Sequence, residues 1–151
     1  MLDISKLKQL RQETGISIAL CKKALEESNN KLGQAKKLLQ QWGIEKVKDK
    51  SGRTTSQGSI FSYIHHNRKV AGFIELLSET DFVSQNQEFQ KLGTELSMQV
   101  ASIPAKNQEE LKNQEYIRDT GKKVSGLLND AVLKFGENIK IGRFLRWVLG
   151  E

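Results

Sequence analysis

Few residues of this chain have the type and spacing that chemistry requires. Both histidines lie in "IHHN" at 64–67. Adjacent residues of a strand point to opposite faces, so His65 and His66 are poorly placed to share a metal ion. No cluster of cysteines or carboxylates accompanies them in the sequence. We therefore expect no metal site and no cofactor.

Three acids, Glu75, Glu79 and Asp81, lie close together in the sequence, and the first two share one face of a predicted strand. No acid or base stands out as their partner, and a Ser–His–Asp set needs spatial evidence that a sequence does not give. Glycine-rich phosphate loops of the GxxxxGKS/T or GxGxxG type are absent. These observations favour a protein without chemical catalysis.

The most unusual segment is "TDFV" at 80–83, a polar turn with a large apolar ring in its middle. Thr80 or Asp81 can cap a first helical turn, and Val83 can act as a hydrophobic staple into the helix that follows. Phe82 does not fit that local role. An aromatic ring in a short polar turn must either fold back into the core or be offered to a partner.

The composition predicts a folded protein with a basic first third. Hydrophobic residues make up 37% of the 151 residues, and the net charge is +6. Residues 1–56 carry twelve Lys or Arg against six acids, whereas residues 57–151 carry twelve of each. This excess of positive charge suits an acidic partner surface or nucleic acid. Against nucleic acid, the lysines are interleaved with acids and no set of aromatic residues for base stacking accompanies them.

The single cysteine, Cys21, excludes an internal disulfide, and we expect it to be buried in a protein from a reducing compartment. No run of about 18 apolar residues predicts a membrane span, and the N-terminus lacks the apolar core of a signal peptide. We therefore expect a cytoplasmic location, or an organelle matrix if a transit peptide has been removed.

The elements that would position these residues form a module and a core. Residues 1–43 predict three short helices, with Asp3, Ser17 and Asn30 as N-caps and with Gly15 and Gly43 ending the first and third. Residues 44–59 are polar and basic and predict a linker that is helical at first.

Residues 60–151 predict the core. Its predicted elements are a β-hairpin at 60–77, a long helix at 84–103, a polar surface helix at 107–120, a helix ended by Gly136 and a strand at 139–149. A capping box at 84–87 and Asn86 alone are rival starts of the long helix. On the last strand one face is predicted to be apolar (Ile139, Ile141, Leu145, Trp147 and Leu149). The expected fold class is α+β, a three-helix module followed by an antiparallel sheet of about three strands packed with helices.

Three blocks of the chain form a recognisable set of motifs. They are "LRQETGISIALCKKALEESNN", then "YIHHNRKVAGFIELLSETDFVSQNQEF", then "FGENIKIGRFLRW". In this order they resemble the signatures of translation elongation factor Ts, the nucleotide-exchange factor of elongation factor Tu: LR-x-x-TG with CKKAL-E, a hairpin with TDFV, and GEN-I-x-x-RR. The resemblance spans most of the chain.

The resemblance implies a ubiquitin-associated-like first module and a role in translation elongation. The family binds elongation factor Tu in its GDP-bound and nucleotide-free forms and promotes GDP release by disturbing the Mg²⁺ and phosphate site. By resemblance, Asp81 and Phe82 are the intruding pair, and Thr80 and Val83 set the turn. Docking of the first module is implied at four residues (Arg11, Ile18, Ala19 and Lys22). Neither direct binding of nucleic acid nor a membrane is implied.

The chain also departs from the family pattern. Ile18 and Ala19 stand where the family commonly has two methionines, Gly142 stands where it often has arginine, and the stretch 104–136 is short. The resemblance therefore implies a single-core form that can form a homodimer, to which the strand at 139–149 contributes. Two other functions stay open. They are a small basic module that binds nucleic acid or the ribosome, and a factor that binds the GTPase without exchanging its nucleotide.

Overall fold

The computed structural model describes residues 1–151 and has a mixed α+β fold, which confirms the predicted class. The elements in chain order are α1 (Ile4–Thr14), α2 (Ile18–Glu27), α3 (Leu32–Lys50), β1 (Gln57–Ile64), β2 (Val70–Ser78), α4 (Asp81–Ser84), α5 (Gln87–Ser102), α6 (Gln108–Asn113), β3 (Glu115–Tyr116), β4 (Asp119–Lys123), α7 (Val124–Phe135) and β5 (Lys140–Val148). They form two compact units, Met1–Ser51 with Asn129–Gly136, and Gly52–Leu128 with Glu137–Glu151. The division at residues 43 and 59 made from the sequence stays a prediction.

The first unit is built around α1, α2 and α3. Asp3 caps α1 by accepting from Lys6 N, and Gly15 ends that helix with a φ of 68°, both as predicted. The predicted cap of α2, Ser17, is also confirmed. Leu133, from the end of α7, joins the buried core of the bundle (Leu10, Ile16, Cys21, Ala24, Leu25, Ala35 and Leu39). A turn of the C-terminal helix therefore completes the bundle.

The predicted N-cap of α3 is wrong. Lys31 occupies that position, without a side-chain hydrogen bond. The Asn30 side chain is used elsewhere, since its Oδ1 accepts from Asp3 N at 2.9 Å and its Nδ2 donates to the Met1 carbonyl at 2.6 Å. Asn30 thus holds the start of α1 rather than the start of α3.

The predicted end of α3 at Gly43 is also wrong, because the helix continues to Lys50. The first part of the predicted linker is therefore helical. Gly43 is required for close packing within the first unit, since a Cβ at this position would lie 3.0 Å from the Asn129 carbonyl oxygen.

The second unit contains an antiparallel sheet with strand order β1–β2–β5. The predicted hairpin is confirmed, with β1 and β2 paired from Gln57↔Ser78 to Ile64↔Ala71. Helix α5 packs on one face of this sheet and buries Phe89 and Leu96 completely. Gly93 of α5 faces the ring of Phe61 so closely that a Cβ would overlap it.

Strand β5 contains a bulge that changes the predicted faces. Ile74 and Leu76 are two residues apart on β2, but their partners on β5, Phe144 and Ile141, are three apart. An extra residue shifts the alternation of side chains by one. The predicted common face is therefore wrong: the first two of its members are buried and the last three are exposed (Ile139, Ile141, Leu145, Trp147 and Leu149).

Gly142 and Arg143 occupy the bulge beside Glu75 of β2. Arg143 donates to Glu75 Oε1 from its backbone N at 2.8 Å and from its Nε at 2.7 Å. These hydrogen bonds hold the pKa of the Glu75 carboxyl below its usual value. A Cβ at Gly142 would lie 3.0 Å from Glu75 Cβ, so glycine rather than arginine suits this tight crossing.

The polar helix predicted at 107–120 is wrong in its second half. Helix α6 ends at Asn113, and β3 and β4 then pair as a short hairpin. The buried side chain of Gln99 holds this hairpin, because its amide makes three hydrogen bonds of 2.9 to 3.0 Å to groups of residues 114–117. A side chain of α5 thus decides the local structure, which the polar composition of the segment alone does not reveal.

Candidate functional site

The TDFV segment forms its own short helix, α4, between β2 and α5. Thr80 is its N-cap, and Thr80 Oγ1 accepts a hydrogen bond from Val83 N at 3.4 Å. Of the two caps weighed from the sequence, Thr80 is the one that the structure uses. Asn86 caps α5 separately by accepting from Glu88 N at 2.8 Å, so the rival capping box at 84–87 is not formed.

Phe82 does not fold back into the core, since its side chain is 85% exposed. Asp81 is exposed as well, and no hydrogen bond or ion pair of the structure engages its carboxylate. The opposite side of α4 is held by the second unit, because Val83 is half-buried, Ser84 is buried and the helix contacts β1 and β2. The helix therefore presents an apolar ring and a neighbouring negative charge to the outside.

A pair of carboxylates fixes the residues that precede α4. Glu137 Oε1 accepts from the backbone N of Glu79 and of Thr80, each at 3.1 Å, and Glu137 Oε2 accepts from Thr80 Oγ1 at 2.6 Å. In return, Glu79 Oε1 accepts from Asn138 N at 3.1 Å. Arg53 lies 3.5 Å from the other Glu79 oxygen.

Sequence reasoning missed Glu137. Glu137 lies in "FGENIKIGRFLRW", a motif that carried the family resemblance, but no role was predicted for this acid. The bond to Thr80 spans 57 positions of the chain, so local pattern gives no reason to join the two residues.

The four predicted docking residues lie in the first unit, and all four are exposed. Arg11 lies in the last turn of α1, and the other three lie near the start of α2. Ile18 is 55% exposed, and Lys22 follows it by four positions, which places both side chains on one face of the helix. This surface combines an apolar side chain with positive charge.

The two histidines follow the end of β1 rather than continuing it. Their ring centroids are 4.1 Å apart, so the expectation that they point to opposite faces is wrong. His65 Nδ1 shares a hydrogen bond of 2.7 Å with the Tyr63 hydroxyl. No group of three or more His, Cys, Asp or Glu side chains is placed to hold a metal ion.

Cys21 is buried, as predicted, and burial raises the pKa of its thiol. Its sulfur donates to the Ile16 carbonyl at 3.5 Å.

Among the helices, none has the length and apolar character needed to cross a membrane.

Comparison with known proteins gives one consistent family. The family model for Elongation factor TS matches residues 79–149. Elongation factor Ts of Thermosipho melanesiensis is 32% identical over the whole of both chains. That of Thermotoga maritima is 33% identical over 99% of this chain and 97% of its own, and that of Aquifex aeolicus is 36% identical over 97% of this chain and 52% of its own. The alignment with the Thermosipho protein has 196 positions, so that relative has segments without a counterpart in these 151 residues.

Proposed function

The chain belongs to the elongation factor Ts family, and from this premise we propose that it binds elongation factor Tu carrying GDP and promotes release of the GDP. Its role lies in translation elongation. Nucleotide exchange makes and breaks no covalent bond, so the protein acts as an exchange factor rather than as an enzyme. It would act where ribosomes work, in the cytoplasm or in an organelle matrix. The observation that carries the proposal is the 85% exposure of the Phe82 ring on a short, firmly held helix.

The side chains of Asp81 and Phe82, here called the wedge, have the chemistry for displacing a bound nucleotide and its metal ion. An exposed aromatic ring gains free energy when it is buried between elements of a partner, and packed elements respond by discrete shifts. Mg²⁺ bridges nucleotide phosphates to protein, so a carboxylate that disturbs its water or protein ligands weakens the nucleotide. Thr80 and Val83 keep both side chains on a capped helical turn.

The first unit would supply docking affinity at Arg11, Ile18, Ala19 and Lys22. Their exposure leaves them available to a partner. The net positive charge of residues 1–56 suits an acidic surface on the GTPase. Ile18 and Ala19 offer a smaller and stiffer apolar contact than two methionines would. The same surface would serve the GDP-bound and the nucleotide-free partner.

We further propose that two copies of the chain associate through the sheet. Helix α5 covers one face, while the other face carries exposed apolar side chains on both outer strands (Ile60, Ile64, Leu145 and Trp147). Trp147 is 60% exposed and packs edge-on against Phe73, with ring centroids 5.5 Å apart. An apolar sheet face normally packs against a second layer, and a second copy supplies the same face. Sedimentation should show a dimer for the wild type and a monomer for Trp147→Glu; a monomeric wild type contradicts this proposal.

The exchange proposal is tested with the cognate elongation factor Tu loaded with fluorescent GDP. A substoichiometric amount of this protein should release the nucleotide in many turnovers, in the presence of excess unlabelled GDP. Asp81→Asn should slow the release, whereas Asp49→Asn, which removes an exposed carboxylate of α3, should not.

Three results would point elsewhere. A tight complex with unchanged GDP release indicates a factor that binds without exchanging. Steeply salt-dependent binding to bare RNA, together with no complex, indicates a nucleic-acid module. Equal release by the two aspartate variants removes the carboxylate from the mechanism while leaving Phe82 to be tested.

A further inference from the structure

Hydrogen bonds that run in both directions join the residues just before α4 to those just after α7. The Glu137 carboxylate accepts from two backbone amides and one hydroxyl of Glu79 and Thr80. The Glu79 carboxylate accepts from the backbone of Asn138. Each segment therefore supplies the acceptor for donors of the other. Neither side can shift without loss of bonds on both.

Glu137 also determines how Thr80 caps the helix. A threonine hydroxyl has one proton, and here it is donated to Glu137 Oε2 at 2.6 Å. The oxygen lone pairs are then free to accept from Val83 N, as the cap requires. Val83 N donates to the Thr80 hydroxyl, which in turn donates to Glu137. The carboxylate therefore orients the hydroxyl that caps α4.

We propose that Glu137 is a positioning residue of the exchange reaction, which acts through Thr80 to hold the wedge in place; this inference rests on the proposed function. The wedge side chains have no partner of their own in the structure, so their direction depends on the backbone beneath them. A preorganised group loses less conformational freedom when it enters a partner than a mobile one does. Glu137 therefore affects the displacement of GDP without touching the partner.

Glu137→Gln is the most informative variant, because it keeps the size of the side chain. The neutral amide has only one acceptor oxygen, so its NH₂ group must face either the Thr80 hydroxyl that Oε2 now receives or the backbone amides that Oε1 now receives. Glu109→Gln, at an exposed acid of α6, makes the same chemical change away from the wedge. Glu79→Gln makes the same change at the reciprocal acceptor and serves as a second variant if Glu137→Gln folds poorly.

The first measurement is amide hydrogen exchange of the free protein. In Glu137→Gln at least one of the amides of Glu79, Thr80 and Val83 should exchange about tenfold faster, the usual effect of losing one hydrogen bond to a charged group. Amides of α5 should exchange as in the wild type, and Glu109→Gln should change none of them. Unchanged protection of these three amides overturns the proposal, whatever the protein's activity.

The second measurement is GDP release over a range of protein concentrations. Glu137→Gln should lower the maximal release rate about tenfold while changing the half-saturating concentration little. Added to a variant that lacks both wedge side chains (Asp81→Ala with Phe82→Ala), it should cause no further loss, because a residue that acts through the wedge has no effect once both are gone. Additive losses, or a maximal rate equal to that of the wild type, overturn the positioning role.

The two proposals fail in different ways. If the wild type releases no GDP, the proposed function is wrong and hydrogen exchange alone decides the role of Glu137. If the wild type is active and Phe82→Ala is slow, but Glu137→Gln is normal, only the positioning role is wrong.

Discussion

Phe82→Ala separates function from stability unusually well. The ring is 85% exposed, so its removal takes little apolar surface out of the folded core, and the free energy of unfolding should change by no more than about 0.5 kcal/mol. Burial of a phenylalanine in a partner is worth about 1.5–3 kcal/mol. Loss of that term from the displaced state should slow GDP release by about 10- to 150-fold.

The assay is release of fluorescent GDP from elongation factor Tu, paired with urea unfolding of each variant. Gln85→Ala is the matched control, because this exposed neighbour at the end of α4 also loses its side chain. It should keep the wild-type rate, and Phe82→Leu should retain part of it. Release by a folded Phe82→Ala protein at the wild-type rate would refute the role of the ring, since no other apolar side chain of α4 is comparably exposed.

Four further predictions address the cap of α4, the packing of two helices, the bulge in β5 and the proposed docking surface. Thr80→Val should lower the free energy of unfolding by about 1–3 kcal/mol and slow release, whereas Thr80→Ser, which keeps the hydroxyl, should do neither; urea unfolding measures the first effect. Gly93→Ala should lower stability by about 1–3 kcal/mol because a Cβ would overlap an aromatic ring of β1, whereas Gly126→Ala, with open space around it, should raise stability by up to about 1 kcal/mol. The folded-state pKa of Glu75 lies below its ordinary value of 4.5, so its ion pair with Arg143 stabilises the protein above pH 4.5. This contribution is lost as the pH falls through the lower folded-state pKa. The urea midpoints of the wild type and Glu75→Gln should therefore differ at neutral pH and converge in acid. Lys22→Ala should raise the protein concentration that half-saturates GDP release, with a weaker dependence on salt, and leave the maximal rate unchanged.

Local signals were sufficient where a bond is made within one turn of the chain. Asp3, Ser17 and Thr80 each cap a helix by accepting from an amide three positions ahead. The first two were predicted, and Thr80 was one of two alternatives, with Asp81. Asparagine is a good N-cap residue, but the side chain of Asn30 instead accepts a hydrogen bond from the backbone N of Asp3, 27 positions away. The type of a residue shows what it can bond, and the tertiary fold decides which bond it makes.

The bulge in β5 shows the same limit for strands. Alternation along 139–149 is regular in the sequence, so period-two reasoning gives one apolar face. At the interruption the carboxylate of Glu75 accepts from both the backbone and the side chain of Arg143, 68 positions away. Only the pairing of β2 with β5 brings these groups together.

Part of the candidate site could be predicted from the sequence and part could not, for a physical reason. Phe82 could be found because an apolar ring in a polar turn contradicts its local context, and the structure leaves that ring exposed. Glu137 could not be found in this way, because an acid after a helix-ending glycine contradicts nothing. Residues that present a chemical group violate local expectation, whereas residues that hold it in place satisfy expectation and are revealed by their contacts.

Burial of the Phe82 ring alone is too weak for large-scale displacement of a nucleotide. Shifting a two-state equilibrium from 1:99 to 99:1 needs about 5.5 kcal/mol of differential binding, and one phenylalanine supplies about 1.5–3 kcal/mol. Docking through Arg11 and Lys22 does not fill that gap merely by being tight, because contacts made equally with both forms of the partner shift nothing. Coupling is also reciprocal: if binding of this protein lowers the affinity of the GTPase for GDP, bound GDP lowers the affinity of the GTPase for this protein by the same factor. The remaining free energy must therefore come from contacts that the nucleotide-free form satisfies better, such as the one proposed for Asp81 at the metal site. It must also come from the ordering that is already present in the free protein, where Thr80 and Glu137 hold α4.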